Sequence, residues 1–228
     1  MWDILSTPEQ LKEIEECIKC YLTTPFSSMA KLGNELEDII AYVRGGVVNS
    51  AFSFADVIID RVGWQIKTSS SYVIIWKRIS FPNQTDLIEK SKINPQELGN
   101  MLLNNCNEHV EKCAIKYNLD LFVYSRLITS KNGMFSYFER PVDKILFSPE
   151  MFYWKWGERN DYPTFAGYHV VTGEKWFSWS GMKDNQFRFM GEHNWHLTDN
   201  HPNKHTFHVD MKNKMSFGEY KTLLLNRG

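Results

Sequence analysis

The sequence has almost no surplus of charge: 26 Lys and Arg stand against 27 Asp and Glu, a net charge of −1. That excludes a binder of nucleic acid or acidic membranes that works by bulk electrostatics alone. It leaves open an enzyme with a local cluster of charge. Long hydrophobic runs are also missing, since no apolar stretch approaches the ~20 residues of a membrane span. Met1-Trp2-Asp3 lacks the basic and apolar regions of a secretory signal. Together these absences predict a cytoplasmic protein with no membrane partner. Cysteine is sparse, with four in the chain, and all four fall on predicted helices. Cys17-x-x-Cys20 has a spacing that can bind zinc, but Cys106 and Cys113 lack the spacing of a zinc ribbon or finger. Reduced thiols are the expectation. Neither a repeat nor a low-complexity linker divides the 228 residues, so one domain is expected.

What is present centres on residues 54–69. Two apolar runs flank Asp60-Arg61-Val62-Gly63, whose Asp and Gly are turn residues, and this predicts a β-hairpin. With Arg61 and Val62 at the tip, Ile59 faces Trp64, Ile58 faces Gln65, Val57 faces Ile66 and Asp56 faces Lys67. Side chains alternate along a strand, so Asp56, Ile58, Asp60, Gln65 and Lys67 share one face. A carboxylate, an amide and an ammonium together on an otherwise apolar hairpin are costly in a core. Such a cluster is a candidate active site.

The surrounding elements follow from caps and periodicity. Thr7, Pro8 and Gln10 start a helix with a capping box, striped by Leu11, Ile14, Ile18 and Tyr21. A second helix begins near Gly33, buries Leu36, Ile39, Ile40 and Val43, and ends at Gly45-Gly46. Glu35 and Glu37 flank its apolar stripe. Residues 71–78 form a near-continuous apolar run, which predicts a central strand buried on both faces. Asn94-Pro95-Gln96-Glu97 starts a helix that runs to about residue 117, and Leu121 to Tyr124 reads as a buried strand. Beyond residue 130 short aromatic-rich strands alternate with turns, among them Thr172-Gly173-Glu174, and a helix from Phe217 to Asn226 closes the chain.

The order helix, three strands, helix, strand, together with Asp56-x8-Gln65-Ile66-Lys67, resembles the nuclease superfamily written PD-(D/E)XK. Its type II restriction endonucleases include single chains of this size. The Leu36-Glu37 pair is similar to the helix glutamate that often precedes the motif. Ala55 stands where the family has Pro, and Gln65 where it usually has an acid. The resemblance covers about residues 30–128. It implies an α/β (α+β) fold with a restriction-endonuclease-like core, a mixed central sheet flanked by helices, and an elaboration at about 130–228 for recognition and dimer contacts. It implies Asp56 as the main ligand of Mg²⁺, with Gln65 and the carbonyl of Ile66 as further ligands. Glu37 would restore the charge that Gln65 lacks, and Lys67 would orient the attacking water. The implied activity is site-specific hydrolysis of palindromic double-stranded DNA by a homodimer, with a cognate methyltransferase in the same system.

Other readings compete. Asp60 is the alternative to Asp56, and Glu35 to Glu37. His193, His196, His201, His205 and His208 cluster in the sequence, with ligand-like spacing in two pairs, and with Asn203 they suggest a zinc site or a ββα-metal nuclease. Pro202 argues against a helix there, and a polar loop on DNA phosphates is the plainer reading. Lys183, Asn185, Gln186 and Arg188 are types that read base edges and phosphates, as well as ordinary turn residues. A non-catalytic DNA-binding protein is the third possibility.

Overall fold

The computed structural model describes residues 4–50, 53–71, 73–130, 132–142, 147–159, 162–181, 183–190 and 203–225. The elements in the first part of the chain are α1 (Pro8–Thr23), α2 (Leu32–Arg44), β1 (Val47–Val48), β2 (Val57–Ile59), β3 (Val62–Ser69), β4 (Ile74–Arg78), α3 (Gln84–Ser91) and α4 (Pro95–Tyr117). They are followed by β5 (Leu121–Thr129), β6 (Met134–Val142), β7 (Phe152–Arg159), β8 (Tyr162–His169), β9 (Lys175–Trp179), β10 (Gln186–Phe189), β11 (Lys204–His208) and α5 (Phe217–Leu225). The class is mixed α and β, as the sequence predicts. The chain divides into two compact units, one of Met1–Ser70, Cys113–Val142 and His201–Gly228, the other of Ser71–Lys112 and Asp143–Asn200.

The first unit carries a six-stranded sheet of order β1-β2-β3-β5-β6-β11. β3 and β5 run parallel and every other pair is antiparallel. α1 and α2 cover one face. Their stripes, including Ile14, Ile18, Leu36 and Ile40, pack with Trp64, Ile66, Val123 and Leu127, each such side chain contributing about 1.5–3 kcal/mol when fully buried. The capping box at Thr7 and Gln10 forms as expected. Gly45 ends α2 in the left-handed region at φ 69°, which glycine adopts without steric penalty. Because Trp64 and Ile66 point toward the helices, Gln65 and Lys67 point to the opposite face of β3.

The second unit carries a five-stranded sheet of order β4-β10-β9-β8-β7, antiparallel throughout. Its inner face is aromatic: Trp154 stacks on both Phe165 and Phe177, and Phe177 stacks on Phe187. α4 lies against it so closely that a Cβ on Gly99 would sit 2.1 Å from the Trp154 ring.

Two expectations are corrected. The strand at 74–78 is neither central nor in the first sheet: it is an edge of the second sheet. Ile74 and Trp76 are buried while Ile75 is 51% exposed, so the apolar run conceals a strand that alternates. The hairpin register also differs. Val57 pairs with Trp64, Ile58 with Gly63 and Ile59 with Val62, so the two-residue tip is Asp60-Arg61. Asp60 takes φ 53°, a left-handed conformation that Asp tolerates. Gly63 is a strand residue rather than a turn residue; a Cβ there would lie 2.8 Å from the Leu119 and Phe122 side chains. The slip is two residues, so the face shared by Asp56, Gln65 and Lys67 is unchanged.

Candidate active site

The site forms where the hairpin opens. β2 pairs with β3 only from Val62 to Trp64, whereas β5 pairs with β3 from Val62 to Ser69. From Gln65 onward no described strand pairs with β3 on the β2 side. Asp56 occupies that edge. Its N–H donates to the Trp64 carbonyl at 2.8 Å, and its carboxylate oxygen Oδ2 accepts from the Ile66 N–H at 2.7 Å. Lys67 Nζ lies 3.7 Å from the same oxygen. Within a strand the N–H and C=O of one residue project to the same edge, so the Ile66 carbonyl points to the side Asp56 occupies.

The loop into Asp56 is clamped by Asn49. Its N–H donates to the Asp56 carbonyl at 2.8 Å. Its amide nitrogen donates to Ser53 Oγ at 2.7 Å and to the Ala55 carbonyl at 2.9 Å, and its amide oxygen accepts from the Tyr117 hydroxyl at 3.3 Å. These bonds fix the carboxylate without a regular strand.

Glu37 belongs to the same electrostatic cluster. A Cβ on Gly33 would lie 3.1 Å from Thr68 Oγ1, so the start of α2 runs against the end of β3, and Glu37 follows one turn later on the same helix face. Burial, then the negative charge of Asp56, pushes the Glu37 carboxyl up to about 7, with Lys67 opposing the rise. Burial likewise pushes the Asp56 carboxyl up, and the Lys67 charge and the Ile66 N–H hold it down. Two carboxyls disfavoured as anions beside one ammonium form a site short of positive charge.

Gln65 bears on whether a cation suits the site. It is 6% exposed, and its amide oxygen Oε1 is buried and accepts no hydrogen bond from any described residue. An unmatched buried acceptor costs roughly 1–3 kcal/mol. Asp56, Gln65 and Glu37, with the Ile66 carbonyl, make an all-oxygen donor set of the hard type that Mg²⁺ prefers. The residues present therefore fit a small divalent cation.

Arg126 belongs to no motif in the sequence. It is fully buried, pairs in register with Lys67 on the neighbouring parallel strand, and donates to Ser69 Oγ at 3.2 Å. A lone arginine inside the apolar run of β5 was the available signal. Nearby, the ends of β3 and β5 open into a cavity of about 670 Å³ lined in part by Thr68, Ser69, Thr129 and Ser130.

The other candidates lie elsewhere. Asp60 is exposed at the hairpin tip, and Glu35 is half-buried in the first turn of α2. His193, His196 and His201 fall outside the described residues. His205 and His208 lie on β11, a strand rather than a loop. Three residues apart on a strand, they project to opposite faces. His205 Nε2 lies 2.5 Å from Glu15 Oε2, and Asn203 donates to the Ser6 carbonyl at 2.7 Å. Among the described residues no group of three or more His, Cys, Asp or Glu could hold a metal ion, and all four thiols are free. No described helix is long and apolar enough to cross a membrane. Comparison of the chain with family models, with curated proteins and with solved structures finds no match in any of the three.

Proposed function

We propose that the chain is a Mg²⁺-dependent DNA endonuclease of the PD-(D/E)XK, type II restriction kind. The observation that carries this reading is Asp56 at the open edge of β3, on the Ile66 N–H and beside Lys67, with the unmatched Gln65 oxygen on the same face. The arrangement of α2, the hairpin and a crossover that returns as β5 parallel to β3 also supports it. The third strand of the expected core lies in the other sheet, which departs from the resemblance.

In this reading Asp56, Gln65, Glu37 and the Ile66 carbonyl hold the cation. When bound, Mg²⁺ stabilises charge developing on the phosphate and makes a coordinated water more acidic. Lys67 places its ammonium where it can orient the attacking water and offset phosphate charge, and Asp56 holds that ammonium in position. Gln65 is neutral, so Glu37 supplies the second negative charge. Its raised carboxyl reflects burial and repulsion from Asp56, and a bound cation held by these residues would offset that repulsion.

The substrate is double-stranded DNA. A homodimer reads a palindromic site because a two-fold protein matches a two-fold sequence, and a cognate methyltransferase protects the host copy of the site. The test is plasmid DNA incubated with purified protein. Discrete fragments with Mg²⁺ that disappear on chelation are expected. Intact plasmid under every divalent metal tried would overturn the assignment.

A further inference from the structure

The second sheet has one face filled by aromatics, and the character of its other face follows from its register. Lys155 pairs with Ala166, Ala166 with Ser178, and Ser178 with Arg188, so these four share one row across β7, β8, β9 and β10. A second row joins Tyr153, Tyr168 and Lys175, and a third joins Gln186 to Arg78 on β4. Trp154, Phe165, Phe177 and Phe187 occupy the alternate positions and face inward. The outward face therefore carries Lys155, Lys175, Arg188 and Arg78, and among the described strand positions on it there is no carboxylate. Asp184, from the turn before β10, reaches it and lies 3.5 Å from Arg188.

These cations are presented rather than buried. Lys155 and Arg78 are exposed, and Lys155 Nζ stands 4.4 Å over the Tyr168 ring, which itself stacks on Tyr153. Arg188 is steadied by Ser180 Oγ at 3.2 Å. The centre of the face carries the small side chains Ala166 and Ser178, both buried (3% and 6% exposed), so contact with a partner falls to the longer side chains around them. With strands about 4.8 Å apart, the four steps from β7 to β4 spread the charge over about 19 Å. That exceeds the ~12 Å width of the B-DNA major groove, so the two edges of the sheet can meet phosphates of both strands. An antiparallel sheet can leave one face to solvent; one whose open face is basic, in a chain of net charge −1, has concentrated its positive charge.

We infer that the open face of the five-stranded sheet is a docking surface for the phosphate backbone of duplex DNA. The inference rests on the DNA-cleavage reading only for its choice of ligand. The phosphate contacts fix position and salt dependence, whereas sequence is read by groups that reach base edges.

The test is fluorescence anisotropy with a labelled DNA duplex in EDTA, where binding is measured and cleavage is not. Each cation that contacts a phosphate contributes about 0.9 to the slope of log K against log salt. The triple variant Arg78→Ala, Lys155→Ala, Lys175→Ala should therefore flatten the slope by about 2.7. Between 50 and 200 mM salt, wild-type affinity should fall about 40-fold more than that of the variant. A control with exposed lysines outside this sheet changed, Lys92→Ala and Lys112→Ala, should keep the wild-type slope, and circular dichroism checks that both variants fold. An unchanged slope in the triple variant, an equal loss in the control, or no duplex binding by wild type would overturn the proposal. So would a wild-type dimer that the triple variant turns into a monomer in sedimentation, since the face would then be a subunit interface. Wild type that binds duplex with the expected slope yet never cleaves would refute the nuclease reading alone.

Discussion

Replacing Glu37 by Gln should stabilise the metal-free protein, and the effect should depend on pH. The folded chain holds the Glu37 carboxyl at about 7 where the ordinary value is 4.5. Between those values the folded state binds the proton more tightly than the unfolded state. Stability therefore falls as pH rises through that window and stays at the lower level above it. A displacement of this size corresponds to about 3 kcal/mol at full strength, and solvent screening at a half-buried position reduces it to about 1–2 kcal/mol. Glu37→Gln removes the charge and keeps the shape. Wild type and variant should be about equally stable below pH 4.5, with the variant ahead by about 1–2 kcal/mol at pH 8. Urea unfolding at several pH values measures this. Mg²⁺ should raise the stability of wild type and narrow the gap, because a ligand that binds only the folded state stabilises it. A gap that is the same at pH 4 and pH 8 would refute the reasoning, as would wild type being the more stable at pH 8.

Three further outcomes are expected. Asp56→Asn keeps an acceptor for the Ile66 N–H but loses its charge, so cleavage should drop about 100-fold or more while the melting temperature holds. Glu139 is fully buried and accepts from the Ser6 N–H and hydroxyl at 2.7 and 2.6 Å and from the Tyr137 hydroxyl at 2.8 Å; Glu139→Ala orphans these donors and should cost about 3 kcal/mol or more in urea unfolding. Gly99→Ala drives a methyl into the Trp154 ring and should cost about 1–3 kcal/mol, with a change in tryptophan fluorescence.

The local chemistry of the chain was legible in its sequence where a single element decides the outcome. The Thr7 capping box, the Gly45 stop, the long α4 and the face that carries Asp56, Gln65 and Lys67 all follow from spacing within a few residues. What was not legible depends on partners distant in sequence. Gly63 reads as a turn residue, yet its missing side chain makes room for Phe122, and that moved the hairpin tip by one residue. The run through Ile74 and Trp76 reads as a strand buried on both faces, because an exposed Ile75 looks like a buried one. Arg126 takes its place beside Lys67 from the parallel pairing of β3 and β5. Gln65 stands where the family that the motif resembles usually has an acid, and only the structure shows that its oxygen is buried with no hydrogen-bond partner among the described residues.

The proposed chemistry lies at the open edge of β3 and not among the histidines. Plasmid cleavage with Mg²⁺ by Lys67→Ala and by His205→Ala, measured side by side with wild type, tests it most directly. Lys67→Ala should leave the plasmid intact while His205→Ala yields the wild-type fragments. Full cleavage by Lys67→Ala together with its loss in His205→Ala would contradict that placement.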